Sequence, residues 1–225
     1  DAFNVFVFVE ISSLASYAMI AMGRDRRALS AAFTYLVMGT VGATFFLIGV
    51  GLIYAVTGTL NMADLAERLP RIYESRTVLA AFAFISVGIL LKLALFPLHL
   101  WLPNAYTYAP SVVTAFLAAT ATKGALYLLL RFGYTVFGAD FVFNIVPSSE
   151  ILLTLALLGV VVASTVAIFQ SDVKRLLAYS SVAQVGYIIL GISYANVTGL
   201  TASIVHIFNH AVTKGALFLV MGCIA

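Results

Sequence analysis

The sequence predicts an all-α fold, a polytopic bundle of about seven transmembrane helices. Three observations predict it. Of the 225 residues, 63% are hydrophobic and 9% charged, where soluble domains carry about 45–50% apolar and about 25% charged residues. Mean hydropathy is +1.08, and the 12 Lys+Arg and 9 Asp+Glu residues are too few to coat a water-facing surface of this size; the natural solvent is a bilayer. The apolar runs are also continuous, whereas the strands of a membrane barrel alternate polar and apolar residues.

Each span meets the length a bilayer core requires, about 20 residues. The first covers residues 2–22 and carries Glu10 just ahead of Ser12-Ser13-Leu14-Ala15. The second, 31–56, follows a short loop bearing Arg24, Arg26 and Arg27. The third, 78–100, holds Lys92, and Pro97 five residues later removes a helix hydrogen bond and breaks the turn before it. Broken helices at membrane depth line a cavity or an ion path. Trp101 is the aromatic anchor of this span's interfacial end, which Pro103 and Pro110 also mark. The fourth span, 112–132, carries Lys123, and the fifth, 151–170, carries no charged residue. The sixth, 176–194, follows Asp172, Lys174 and Arg175 and contains Ser180-Ser181-Val182-Ala183. The seventh, 200–225, contains His206, His210 and Lys214. Residues 57–77 read as a surface amphipathic turn and 133–149 as a long loop; the other connections are short.

Loop cations set the orientation. With alternating spans, one face holds Arg24, Arg26, Arg27, Lys174 and Arg175, while the other holds Arg68, Arg71, Arg76 and Arg131. The first three of the latter are mixed among Asp64, Glu67 and Glu74. The positive-inside rule then puts the Arg24–Arg27 loop in the cytoplasm, in a cell inner membrane, with the N-terminus outside. The net charge of +3 is spread along the chain and offers no basic run for nucleic acid. The single Cys223 excludes an intrachain disulfide framework and a Cys-rich metal site. Because the sequence opens at Asp1 without Met and stops inside an apolar run at Ala225, it reads as an internal piece of a longer protein. The serine runs of the first and sixth spans form a weak internal echo, of the kind that inverted repeats leave.

Most charges fall in loops, but Glu10, Lys92, Lys123 and Lys214 fall inside apolar spans. Each costs about 2.5–3.5 kcal/mol at mid-bilayer, so these side chains must face one another, a partner subunit or water. Arg131 and Lys174 lie near span ends, where long cations snorkel to the interface. Lys92, Lys123 and Lys214 lie too deep for that, and Glu10 is either a neutralising partner or part of a proton relay. Burial disfavours the charged form of lysines and carboxylates alike, so such groups can exchange protons as their surroundings change. His206, His210 and Lys214 stand at i, i+4, i+8 on one helix face, about 6 Å apart along the axis. No neighbouring Asp, Glu or Cys completes a metal site with the two histidines, so the pattern predicts a hydrated polar stripe with no metal, cofactor or active site of its own.

These motifs, in this order, resemble the antiporter-like membrane subunits shared by respiratory complex I, membrane-bound hydrogenases and Mrp-type cation/proton antiporters. The resemblance is carried by the run from Lys92 through Pro97, His99, Trp101 and Pro103 to Tyr106, and by Ala109-Pro110-Ser111 and Thr122-Lys123-Gly124-Ala125. Asp172-Val173-Lys174-Arg175 and His206-x3-His210-x3-Lys214 add to it, and Asn104-Ala105-Tyr106 with Lys123 looks most like the Mrp D subunit. It implies a larger inverted-repeat fold of about fourteen helices, of which residues 1–132 are the first half-channel and 150–225 the start of the second. It also implies proton-transfer roles for Glu10, Lys92, Lys123, His206, His210 and Lys214, with Pro97 and His99 at the helix break and a point of ion access. The partners implied are other membrane subunits and the lipid bilayer, with protons, and sodium as a second candidate, as the ions moved. Asn104 stands where many members have Asp, and Gln184 where many have His. The alternative within the family is a membrane subunit of an NADH-quinone oxidoreductase or a hydrogenase. Outside it are a seven-helix retinal protein using Lys214, against which three buried lysines speak, and a purely structural membrane subunit.

Overall fold

The computed structural model describes residues 1–224. Among them the elements are helices: α1 (Ala2–Ala21), α2 (Arg27–Thr57), α3 (Met62–Arg68), α4 (Arg76–Leu93), α5 (Trp101–Tyr108), α6 (Ser111–Leu130), α7 (Ser148–Ile168), α8 (Val173–Ser193) and α9 (Val197–Ile224). Seven are long and apolar enough to cross a membrane: all but the short α3 and α5. The predicted spans are therefore present, and the chain is a multi-pass membrane protein; Ala225, the expected end of the last span, lies outside the described residues.

The third span departs from a continuous helix over 78–100. α4 stops at Leu93, Ala94 turns left-handed at φ 59°, and the helical path resumes only at Trp101. Leu93 is the residue whose carbonyl the Pro97 ring would strike if the helix went on, and Pro97 has no N–H to return. Residues 133–149, expected as a loop, are also wound: Arg131–Val136 and Phe141–Ile145 form wide π-type turns. Phe132, Val136, Phe137, Phe141 and Val142 are buried there, so apolar burial holds helical turns that no period in the sequence announces. Gly138, at φ 81°, makes the reversal between them, a conformation open to glycine.

The 57–77 connection is an amphipathic turn, as expected. Asn61 caps α3 by accepting from the Ala63 amide at 2.9 Å, and Leu65 and Leu69 are fully buried beneath it. Arg68 bonds Asp64 at 2.6 Å and donates to the Thr57 carbonyl at 2.9 Å. The guanidinium beside it holds the Asp64 carboxyl below its ordinary range.

Loop contacts confirm the alternation of faces. Arg27 donates to the Tyr108 hydroxyl at 3.3 Å and lies over its ring, and Lys174 donates to the Ala109 carbonyl at 2.8 Å. The first, third and fifth loops thus share one face, and Lys174 is a tie between loops rather than a snorkelling cation. On the other face, Ala2 donates its amide to Leu60 and Tyr73 donates to the Phe137 carbonyl. Between the faces, α2 and α4 touch backbone to backbone, since a Cβ on Gly88 would sit 2.6 Å from the Gly42 carbonyl oxygen. Such close approach through small residues is how membrane helices gain packing without a hydrophobic driving force.

Candidate ion-transfer site

The site grows from the end of α4. Lys92 stands one residue before the helix stops, and its Nζ donates to Glu10 Oε1 at 2.7 Å and to Ser13 Oγ at 2.6 Å. Glu10 and Ser13 are three residues apart on α1, which places both side chains on one face. The lysine and glutamate side chains are 11% and 21% exposed, so the ion pair is largely out of solvent. It lines a cavity of about 560 Å³ between α1, α2, α4 and α6, together with Ser16, Tyr35 and Thr120. Inside so apolar a frame, a lone ammonium carries the full intramembrane penalty; the carboxylate offsets it, and the serine satisfies a second ammonium proton.

The helix break is held by aromatic residues. Trp101 Nε1 donates to the Leu91 carbonyl at 3.0 Å, beside Lys92. Its indole stacks on Tyr35 with centroids 4.0 Å apart, and Tyr17 meets Tyr35 edge-on at 4.7 Å. Trp101, expected as an interfacial anchor, is instead buried at the break, where it satisfies a carbonyl of α4. His99 is buried between Phe96 and Tyr179, with its Nδ1 free of hydrogen bonds among the described residues.

A second group gathers where α6, α8 and α9 meet. Lys214, 3% exposed, donates to the Leu177 carbonyl at 3.0 Å and to Ser180 Oγ at 2.9 Å. His206 Nε2 donates to Gln184 Oε1 at 2.7 Å, and its ring lies parallel to that of His210, 6.2 Å away. His210 is buried with both ring nitrogens unpaired among the described residues. The Lys123 ammonium bonds the Ala118 carbonyl of its own helix and lies within electrostatic reach of Lys214 and His210. The three-residue stripe thus keeps its shared face, with His210 and Lys214 turned fully inward and His206 half-buried.

The sequence-predicted residues fall into two constellations, Glu10 with Lys92, and Lys123 with His206, His210 and Lys214; no hydrogen bond joins the two among the described residues. What residue-by-residue reading missed is the pair of serines that solvate the buried lysines. Lys92 bonds the second serine of Ser12-Ser13 and Lys214 the first of Ser180-Ser181. The signal was the weak echo of those two runs, each of which meets an ammonium in the membrane.

Comparison with known proteins follows the same line. A family model described as NADH:quinone oxidoreductase/Mrp antiporter, TM, matches residues 1–225. NADH-quinone oxidoreductase subunit N of Desulforudis audaxviator is 50% identical over 222 residues, which are 99% of this chain and 44% of that protein. The D subunit of the Na(+)/H(+) antiporter of Alkalihalophilus pseudofirmus is 34% identical over 224 residues, again 99% of this chain and 44% of that protein. A chain in the structure of the Mrp complex from Dietzia sp. superposes with a TM-score of 0.89 at 32% identity, covering 100% of this chain and 41% of its own. The chain spans less than half the length of the curated relatives it matches.

Proposed function

The chain belongs to the NADH:quinone oxidoreductase/Mrp antiporter transmembrane family, and from that premise we propose that it moves protons through the membrane as part of a multisubunit ion-translocating complex. The observation that carries the reading is the Glu10–Lys92–Ser13 cluster at a helix break, because it gives a buried lysine a carboxylate to hold its proton and a cavity through which to exchange it. With Glu10 close, the charged lysine is favoured; with the carboxylate withdrawn or neutralised, the buried ammonium loses its compensation and releases its proton. Lys123, His210 and Lys214 continue the path toward a second half-channel that begins at about residue 150, and His206 with Gln184 flanks it. Pro97 keeps α4 open beside Lys92, and His99 sits at the point of access from the basic-loop face. That face is the cytoplasmic side of a cell inner membrane, by its excess of Arg and Lys.

The partners are further membrane subunits and the ions are protons, with sodium as a second candidate. The 50% identity to a subunit N favours, as second reading, the membrane arm of an NADH-quinone oxidoreductase, in which the same residues do the same work. A retinal role for Lys214 finds little support, since its ammonium is committed to Leu177 and Ser180. The test uses the full-length protein in its native complex, reconstituted into vesicles with proton movement followed by a pH-sensitive dye. Lys92→Ala and Glu10→Ala are each expected to abolish proton-coupled transport while the complex still assembles. Wild-type transport in both variants, or in a double variant with Lys92 and Glu10 made apolar, assigns the pair a purely structural role and sinks the reading.

A further inference from the structure

Tyr17 lies seven residues beyond Glu10 on α1, about 10 Å nearer the face that bears Arg24 and Arg26. Its side chain is 6% exposed, and among the described residues its hydroxyl makes no hydrogen bond. Burying an unpaired hydroxyl is unfavourable, and phenylalanine would fill the same apolar space without that cost. The hydroxyl is also held in place. A Cβ on Gly39 would collide with it, and Tyr35, braced on Trp101, packs against the ring at 4.7 Å.

Ser13 stands four residues back on the same face of α1, and the side chain of a helical tyrosine leans toward that preceding turn. Ser13 Oγ accepts from Lys92 at 2.6 Å and donates to the Val9 carbonyl at 2.8 Å. A serine hydroxyl accepts two hydrogen bonds and donates one, so one acceptor position remains open. Glu10 and Lys92 across Ser13, and Tyr35 from α2, are the titratable groups around it.

We propose that Tyr17 is a further proton-transfer residue of this site, its hydroxyl joining Lys92 through Ser13 to water at the basic-loop face. The inference rests on the reading of Lys92 as a proton carrier. To load neutral Lys92, Ser13 turns its O–H from the Val9 carbonyl to Lys92 Nζ, as a hydroxyl rotor can. The Ser13 proton then passes to Nζ, the Tyr17 proton passes to Ser13 Oγ, and the Tyr17 oxygen takes a proton from hydronium on its far side. Three bonds to hydrogen break and three form, one in each group that accepts. One positive charge moves from water to the lysine, and nothing is oxidised or reduced.

The test measures proton translocation by the full-length protein in its native complex, reconstituted in vesicles. Tyr17→Phe keeps the ring and its packing and is expected to slow translocation at least tenfold with assembly unchanged; a rate within twofold of wild type overturns the inference. A difluorotyrosine at position 17 keeps shape and hydroxyl but acidifies the phenol, so the alkaline limb of the rate–pH profile is expected to move to lower pH. An unmoved profile overturns the inference even where Tyr17→Phe fails to assemble. Lys92→Ala separates the two levels. If it is inactive while Tyr17→Phe runs at the wild-type rate, only the role of Tyr17 falls; if it transports normally, the reading of Lys92 falls and takes this one with it.

Discussion

An ammonium 2.7 Å from a carboxylate and 2.6 Å from a hydroxyl is a different object from a lysine in a hydropathy plot. The sequence places Lys92 at membrane depth, and the cost of a bare charge there implies a partner, but period and spacing do not say which residue of another helix supplies it. Glu10 was legible because it is the acidic residue of the first span. Ser13 and Ser180 were not, because serines in membrane helices usually bond their own backbone, as Ser13 also does with Val9. Their importance depends on which lysine crosses nearby. Ser180→Ala removes one of the two groups that Lys214 bonds; a hydrogen bond to a charged group contributes about 1.5–3 kcal/mol. Thermal unfolding of the purified complex is expected to shift down and proton translocation to slow, while a Ser180→Thr variant, which keeps the hydroxyl, restores both. Equal loss in the Thr and Ala variants counts against a hydrogen-bonding role.

Among the elements, the α4–α5 break shows how a local rule becomes a site. Pro97 ends the helix at Leu93, an outcome written in the sequence. Proline does not say where the freed carbonyls find partners. Trp101 donates to the Leu91 carbonyl from the start of α5, and Leu91 also accepts from the Ala94 amide, so this carbonyl of the broken end is satisfied beside Lys92. Trp101→Phe keeps part of the stack on Tyr35 and removes the N–H together with one ring of the indole. The expected loss is at least about 0.5–1.5 kcal/mol of stability, the usual worth of one neutral hydrogen bond, with the lost ring volume adding to it, read as a lower denaturation temperature of the detergent-solubilised complex. A variant as stable as wild type shows that Ala94 alone satisfies this carbonyl. The two π-type stretches at Arg131–Val136 and Phe141–Ile145 are the opposite case. Nothing in their residue order marks a helix, and burial of Phe132, Phe137 and Phe141 against the rest of the bundle decides their form.

Across the whole molecule, side-to-side topology follows from counting spans and is fixed by contacts between loops distant in sequence. Arg27 with Tyr108 and Lys174 with Ala109 tie together one end of the bundle, and Tyr73 with Phe137 closes the other. Cys223 is the chain's single cysteine; replacing it, along with any cysteine elsewhere in the full-length protein, gives a clean background for labelling. In that background Arg24→Cys and Glu74→Cys in intact cells are expected to react from opposite sides, with position 74 open to a membrane-impermeant maleimide and position 24 protected until the cells are lysed. Labelling of both from outside disproves the alternation, and the reverse pattern disproves the orientation.

Amino-acid order alone places this chain in a bilayer, crosses it with seven helices, breaks one of them at Pro97 and sets four charges where hydrocarbon forbids bare ones. Those outcomes rest on composition, length and the chemistry of single residues, which are local and additive. The packed bundle was needed to show that Lys92 meets Glu10 and Ser13, that Lys214 meets Ser180, and that the Tyr17 hydroxyl lies buried and unpaired beside that first cluster. Helices that are apolar on every side carry no stripe to announce their neighbours. Their crossings are set by small residues such as Gly42 and Gly88, and the polar contacts follow from those crossings.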